Sequence, residues 1–196
     1  MKHFTVELIG TFFFTLALAL TTNPMCYGLI FASLIYLGVH ISGGYYNPAI
    51  TVALYLHGKL KRDHVFHLII AQIIGAVLAL CLVHHATESS FMLAVERPHM
   101  AMACLGEVLF TFLLCALVLS LCAQKSKELH GIIIGFTMVA LGYIGGIFNP
   151  AISLANQIVC FSCMSQPLDV HSLIAYFFAP LAGGVIAAIT YKYYQD

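Results

Sequence analysis

Apolar residues run along this chain in long blocks, without the alternation of an exposed strand. The blocks cover residues 4–22, 25–40, 65–84, 100–123, 131–143 and 171–191. A helix that crosses the hydrocarbon of a bilayer needs about 20 such residues. The pattern therefore predicts six spanning helices, the second and fifth of them short. Two further apolar runs, AITVALYLH and AISLANQIV, follow the second and fifth blocks. Ten helical residues rise about 15 Å, half of a ~30 Å core. Each is read as a half-helix that enters the membrane and returns.

The two half-helices open on nearly the same letters, GGYYNPAIT at 43–51 and GGIFNPAIS at 145–153. Asn is a favoured N-cap and Pro fits the first helical position, so both stretches predict helix starts. The echo extends further. Glu7-Leu-Ile-Gly-Thr-Phe12 matches Glu107-Val-Leu-Phe-Thr-Phe112, and Ala71-Gln-Ile-Ile-Gly-Ala-Val77 matches Ala179-Pro-Leu-Ala-Gly-Gly-Val185. The chain thus reads as one membrane domain, 1–196, built from repeats at about 1–86 and 100–196. Three spans per repeat place the second copy upside down, an inverted repeat. The half-helix N-termini then meet from opposite sides near the midplane.

Composition agrees. The chain is 61% hydrophobic and 8% charged, with no net charge. That excludes an ordinary soluble domain and makes the lipid bilayer its surroundings. No basic block suggests a nucleic-acid partner. Glu7 interrupts the first apolar run and no cleavage site is evident, so that run is read as a retained span. With both termini cytoplasmic, Lys2, Lys59, Lys61, Arg62, Lys125, Lys127 and Lys192 lie inside and Arg97 alone outside, which suits a multi-pass protein of the cell membrane. The cysteines read as small buried hydrophobes, with a loop disulfide between Cys160 and Cys163 left open. His84 and His85 with Glu88 and His99 read as a solvated outer face rather than a metal site. No nucleophile–base pair or cofactor loop points to an enzyme, and neither a cofactor nor a metal is expected.

The doubled Asn-Pro-Ala, the paired glutamates and His40-Ile-Ser-Gly-Gly resemble the aquaporin/glycerol-facilitator (major intrinsic protein) family, in particular its small microbial aquaporins. The resemblance implies an all-α membrane protein, a bundle of six transmembrane helices plus two re-entrant half-helices. It also implies a homotetramer with one pore per subunit. The pore motifs are Asn47, Pro48, Ala49 and Asn149, Pro150, Ala151, while Glu7, Glu107 and His40 brace the re-entrant loops. Helix N-termini carry about half a positive charge each. Asn47 and Asn149 are expected to donate their amide NH2 groups to a passing water, whose hydrogens turn toward the carbonyls of 40–46 and 143–148. Cations and protons then meet two positive dipole ends, whereas neutral molecules pass.

In the resembled family four positions form a selectivity filter, here Tyr27, Thr137, Gly146 and Ile152. A typical water-selective member carries Phe, His, a small residue and Arg there. Replacing Arg by Ile removes a fixed charge and several donors, so the constriction is expected to be less polar and wider. Ser153 stands where glycerol channels usually carry Asp. The expected function is passive permeation of water and other small uncharged solutes. The alternatives are a glycerol, ammonia or urea facilitator with little water selectivity, a coupled transporter, or an occluded structural protein plugged by Tyr27, Tyr45, Tyr46 and Ile152. The connection between the halves is short for the family, which suggests a shallow outer vestibule.

Overall fold

The computed structural model describes residues 1–87 and 100–194. The expected outer connection, with Glu88, Glu96, Arg97 and His99, lies outside the described residues. Helices α1 (Lys2–Leu20), α2 (Pro24–Gly38), α3 (Pro48–Leu56) and α4 (Arg62–Thr87) form the first set. The second set is α5 (Met100–Cys122), α6 (His130–Ile144), α7 (Pro150–Met164) and α8 (Val170–Tyr193). Among the described residues all regular structure is helical.

Four of these, α1, α4, α5 and α8, are long and apolar enough to cross a membrane unaided. The other two expected spans, α2 and α6, have 15 residues each. Their paths continue as non-helical chain into α3 and α7. A π-helical segment, Ile174–Phe178, interrupts α8 just before Pro180. Pro180 has no N–H for the helical ladder and its ring crowds the preceding turn, so the turn widens.

The two sets pack reciprocally. In each, the first helix lies along the last, α1 on α4 and α5 on α8, while α2 pairs with α6 across the centre. The half-helices exchange partners: α3 rests on α8, and α7 on α4. Gly75 lets α4 approach the Leu8 carbonyl and the Phe12 N–H of α1. Gly183 does the same for α8 against Val108 and Phe112 of α5. Between α2 and α6 the contact is made by Gly28 and Ala32 facing Gly135, with Gly131 against the Ala32 carbonyl. Small residues at four-residue spacing allow backbones to meet closely where lipid supplies no hydrophobic drive.

One expectation needs correction. Helix α7 is longer than the AISLANQIV run and continues through Cys160 and Cys163 to a left-handed cap at Ser165. The CxxC pair therefore lies in the last turns of a helix and not in a loop. Cys160 is buried, Cys163 is exposed, and both are free thiols.

Candidate functional site at two opposed helix ends

Asn47 and Asn149 each cap their half-helix with the side-chain oxygen. Asn47 Oδ1 accepts from the Ala49 N–H at 2.8 Å, and Asn149 Oδ1 from the Ala151 N–H at 3.1 Å. The amide nitrogens then cross over. Asn47 Nδ2 donates to the Phe148 carbonyl at 2.6 Å, and Asn149 Nδ2 donates to the Tyr46 carbonyl at 2.9 Å. One amide hydrogen of each Asn is thereby engaged, leaving the second for a molecule at the centre. This refines the expectation that both NH2 groups are free. The two helix N-termini are tied tip to tip, and their dipoles point at one another.

Holding the tips there strains the chain. Tyr46 and Phe148, the residues before the two asparagines, both have φ of 51°. Aromatic residues seldom take this left-handed conformation, and it costs on the order of 1–3 kcal/mol at each. Buried carboxylates hold the strained turns. Glu7 Oε2 accepts the Tyr46 N–H at 2.7 Å and Oε1 the Tyr45 N–H at 2.9 Å. Glu107 accepts the Ile147 and Phe148 N–H groups in the same way. Each glutamate thus takes two backbone N–H groups of its turn.

His40 does not. It is exposed, and its side chain has no hydrogen bond among the described residues. Ser42 takes that role, with its hydroxyl donating to Glu7 Oε1 at 2.7 Å and accepting from the Gly44 N–H. Gln72 was missed from the sequence as well. Its amide donates to Glu7 Oε2 at 2.8 Å and to Thr51 Oγ1 at 3.0 Å, and Thr51 in turn donates to the Asn47 carbonyl. A Gln inside an apolar span was the available signal, because buried amides need partners.

The four positions expected to form a filter sit in different surroundings. Tyr27 is buried where α2 meets α6, its ring against Gly142. Thr137, half-buried on α6, spends its hydroxyl on the Ile133 carbonyl at 2.9 Å. Gly146 is exposed with a φ of 151°, under the Phe148 ring. Ile152, one turn into α7, is fully buried. Of the tyrosines that might plug a lumen, Tyr46 is a core residue whose hydroxyl donates to the Leu34 carbonyl. Only Tyr45, of that motif pair, is partly accessible.

Residues 15–191 match the family model "Major intrinsic protein". The chain belongs to the major intrinsic protein family. Aquaporin-4 of Mus musculus is 29% identical over 183 residues, covering 86% of this chain and 54% of that protein. The chain thus spans about half the length of its aquaporin-4 relatives. A full-length similarity is found with glycerol uptake facilitator protein-like 6 of Lactiplantibacillus plantarum, 29% identical and covering 96% and 95% of the two chains. The X-ray structure of the aquaglyceroporin from Plasmodium falciparum superposes with a TM-score of 0.83 at 19% identity, covering 97% of this chain. At that identity the match speaks for the fold. Four long helices, the shorter α2 and α6, and the two helices that start at the asparagines are accordingly the family's architecture in this chain.

Proposed function

We propose that this major intrinsic protein is a passive transmembrane channel for water and other small uncharged solutes. The observation that carries the reading is the reciprocal bonding of Asn47 and Asn149 at two opposed helix tips. The remaining amide hydrogens and the dipole ends offer hydrogen bonds to a neutral oxygen and repel cations. Relatives named as aquaporins and as a glycerol facilitator support the same class. No step of bond making is involved.

Tyr27, Thr137, Gly146 and Ile152 form the filter of this channel. With Thr137 bonded to its own helix and Ile152 apolar, the filter offers few donors, which favours admission of glycerol, urea or ammonia beside water. Both termini face the cytoplasm, in keeping with seven of eight basic residues on that side. Exposed apolar side chains on α1 and α2, such as Phe13, Leu20, Ile30 and Leu37, suit burial against lipid or a neighbouring copy in a homotetramer. Native mass spectrometry from detergent should give four copies; a monomer alone counts against assembly.

The function is tested by light scattering of proteoliposomes after an osmotic step. Fast shrinkage with a low activation energy is expected, and flux equal to that of empty liposomes rejects the channel. Ile152→Arg narrows the filter and adds charge, so glycerol flux should fall more than water flux. Equal losses would remove Ile152 from the filter.

A further inference from the structure

α2 and α6 lie antiparallel along a seam of small residues, Gly28 beside Val139 and Gly135, and Ala32 beside Gly135 and Gly131. At one end of the seam the Tyr36 ring covers Gly131. Each helix keeps an exposed stripe that starts at this end. Leu37, Ser33 and Leu29 follow one another on α2, and Leu129, Ile132 and Phe136 on α6 and its cap. Steps of three and four residues hold each stripe on one helix face. The Ser33 hydroxyl donates to the Leu29 carbonyl at 3.1 Å, so the α2 stripe stays apolar toward its surroundings. From Leu37 to Leu29 the helix rises about 12 Å, most of the ~15 Å that one leaflet contributes to the hydrocarbon core.

The stripes end at an open polar cavity. Its volume is about 760 Å³, and Tyr36, His40, Lys125, Ser126, Lys127 and Glu128 line it. The lysines come from the connection between α5 and α6, which is fastened to the end of α2. There the Tyr36 hydroxyl donates to the Glu128 carbonyl at 2.6 Å, and Lys127 Nζ donates to the Val39 carbonyl at 3.3 Å. That bond engages one of the three ammonium hydrogens. Among the described residues, neither Lys125 nor Lys127 has a carboxylate partner. Ser126 Oγ accepts from the Glu128 N–H at 3.3 Å and keeps its own hydrogen to donate. Two lysines against the single Glu128 leave the cavity positive. The N-terminus of α6, which no side chain caps, adds to that sign. Tyr36 stands between cavity and stripe, as tyrosines do where hydrocarbon meets headgroups.

We propose that this cavity holds the phosphate of an anionic phospholipid, with the acyl chains lying along the α2 and α6 stripes. The phosphate accepts hydrogen bonds from Lys125, Lys127 and Ser126, and the chains cover Leu37, Leu129, Ile132 and Phe136. A second copy of this chain on the same face would set lysines against lysines about a shared axis and shut unpaired charge away from water. A phosphodiester neutralises that charge. A zwitterionic lipid brings an ammonium of its own, which the cavity's excess of positive charge disfavours. The inference needs only a bilayer around the helices and is independent of the channel reading.

Native mass spectrometry from detergent, with dioleoylphosphatidylglycerol or dioleoylphosphatidylcholine added, tests the site. The wild type should retain at least about threefold more phosphatidylglycerol than phosphatidylcholine; equal retention, or none, overturns the site. Lys125→Gln combined with Lys127→Gln should lower phosphatidylglycerol retention by at least about fivefold. Lys59→Gln combined with Lys61→Gln removes the same charge from the connection between α3 and α4, and retention should stay close to that of the wild type. Equal losses in the two pairs would mean diffuse attraction and overturn the site. Glycerol phosphate should not displace the lipid from the wild type, because it has no chains to lie on the stripes. Displacement would make the cavity a site for a free anion and reject the lipid. A photoreactive phosphatidylglycerol gives a reading on the unsubstituted protein that no variant's folding can affect. Its crosslinks should fall within 29–40 and 125–136. Crosslinks confined to other segments, or Ile132 found joined only to its counterpart in a second copy, reject the proposal.

Discussion

Glu7 and Glu107 occupy the same place in the repeat, yet they carry different loads. Glu7 accepts four hydrogen bonds, from Ser42, Tyr45, Tyr46 and Gln72, two on each oxygen. Among the described residues Glu107 accepts two, one on each oxygen, from Ile147 and Phe148. Pro180 stands where the first repeat has Gln72 and has no donor to offer. Replacing either Glu by Gln puts an NH2 where an acceptor oxygen was, orphaning two donors at Glu7 and one at Glu107. Each buried orphan costs about 1–3 kcal/mol. Glu7→Gln is therefore expected to lower thermal stability in detergent roughly twice as much as Glu107→Gln. Equal melting temperatures for the two variants would contradict the difference in load. The glutamates were legible because they recur at 100-residue spacing. Ser42 and Gln72 were not, since only one repeat has them.

At the scale of elements, glycine decides how closely the helices approach. A side chain on Gly75 meets the Leu8 carbonyl, and one on Gly183 meets that of Val108. Backbone cannot yield as a flexible side chain does, so Gly75→Val and Gly183→Val should each separate a helix pair and reduce the yield of folded protein. Gly106 is the control. Nothing lies within 4 Å of its missing Cβ, and Gly is worse than Ala by about 1 kcal/mol in a helix. Gly106→Ala should thus raise the melting temperature, as circular dichroism in detergent can show. Span positions were readable from apolar block length alone. The true extent of α7 was not, because Asn156, Gln157 and Ser162 weaken the apolar signal while tertiary packing against α4 sustains the helix. The π segment depends on Pro180 and on neighbours that hold α8 together around it.

Across the whole molecule, the reciprocal exchange of half-helices makes each repeat incomplete without the other. α3 packs on α8 and α7 on α4, and each Asn amide is satisfied by a carbonyl from the opposite repeat. In the proposed channel, cation exclusion is accordingly a property of the pair. Asn47→Asp places a carboxylate between the two positive helix ends and substitutes an acceptor for the Nδ2 donor to Phe148. It should admit protons, seen as faster dissipation of a pH gradient by a dye trapped in liposomes. An unchanged rate would show that the barrier lies elsewhere than at the asparagines.

Read alone, the order of residues was enough for helix content and for both capping asparagines. These follow from local chemistry and from the repetition itself. Local chemistry has a limit, however. Asn23-Pro24 caps α2 just as the other two pairs cap α3 and α7, with Asn23 Oδ1 accepting from Met25 at 3.0 Å. Yet Asn23 is exposed and, among the described residues, bonds to nothing in the opposite repeat. Which Asn-Pro starts become a shared site, and that His40 is exposed while Ser42 and Gln72 reach Glu7, were decided only by tertiary packing. Hydrogen-bond partners and burial arise between segments about a hundred residues apart, and a local stretch of sequence contains only one side of each such contact.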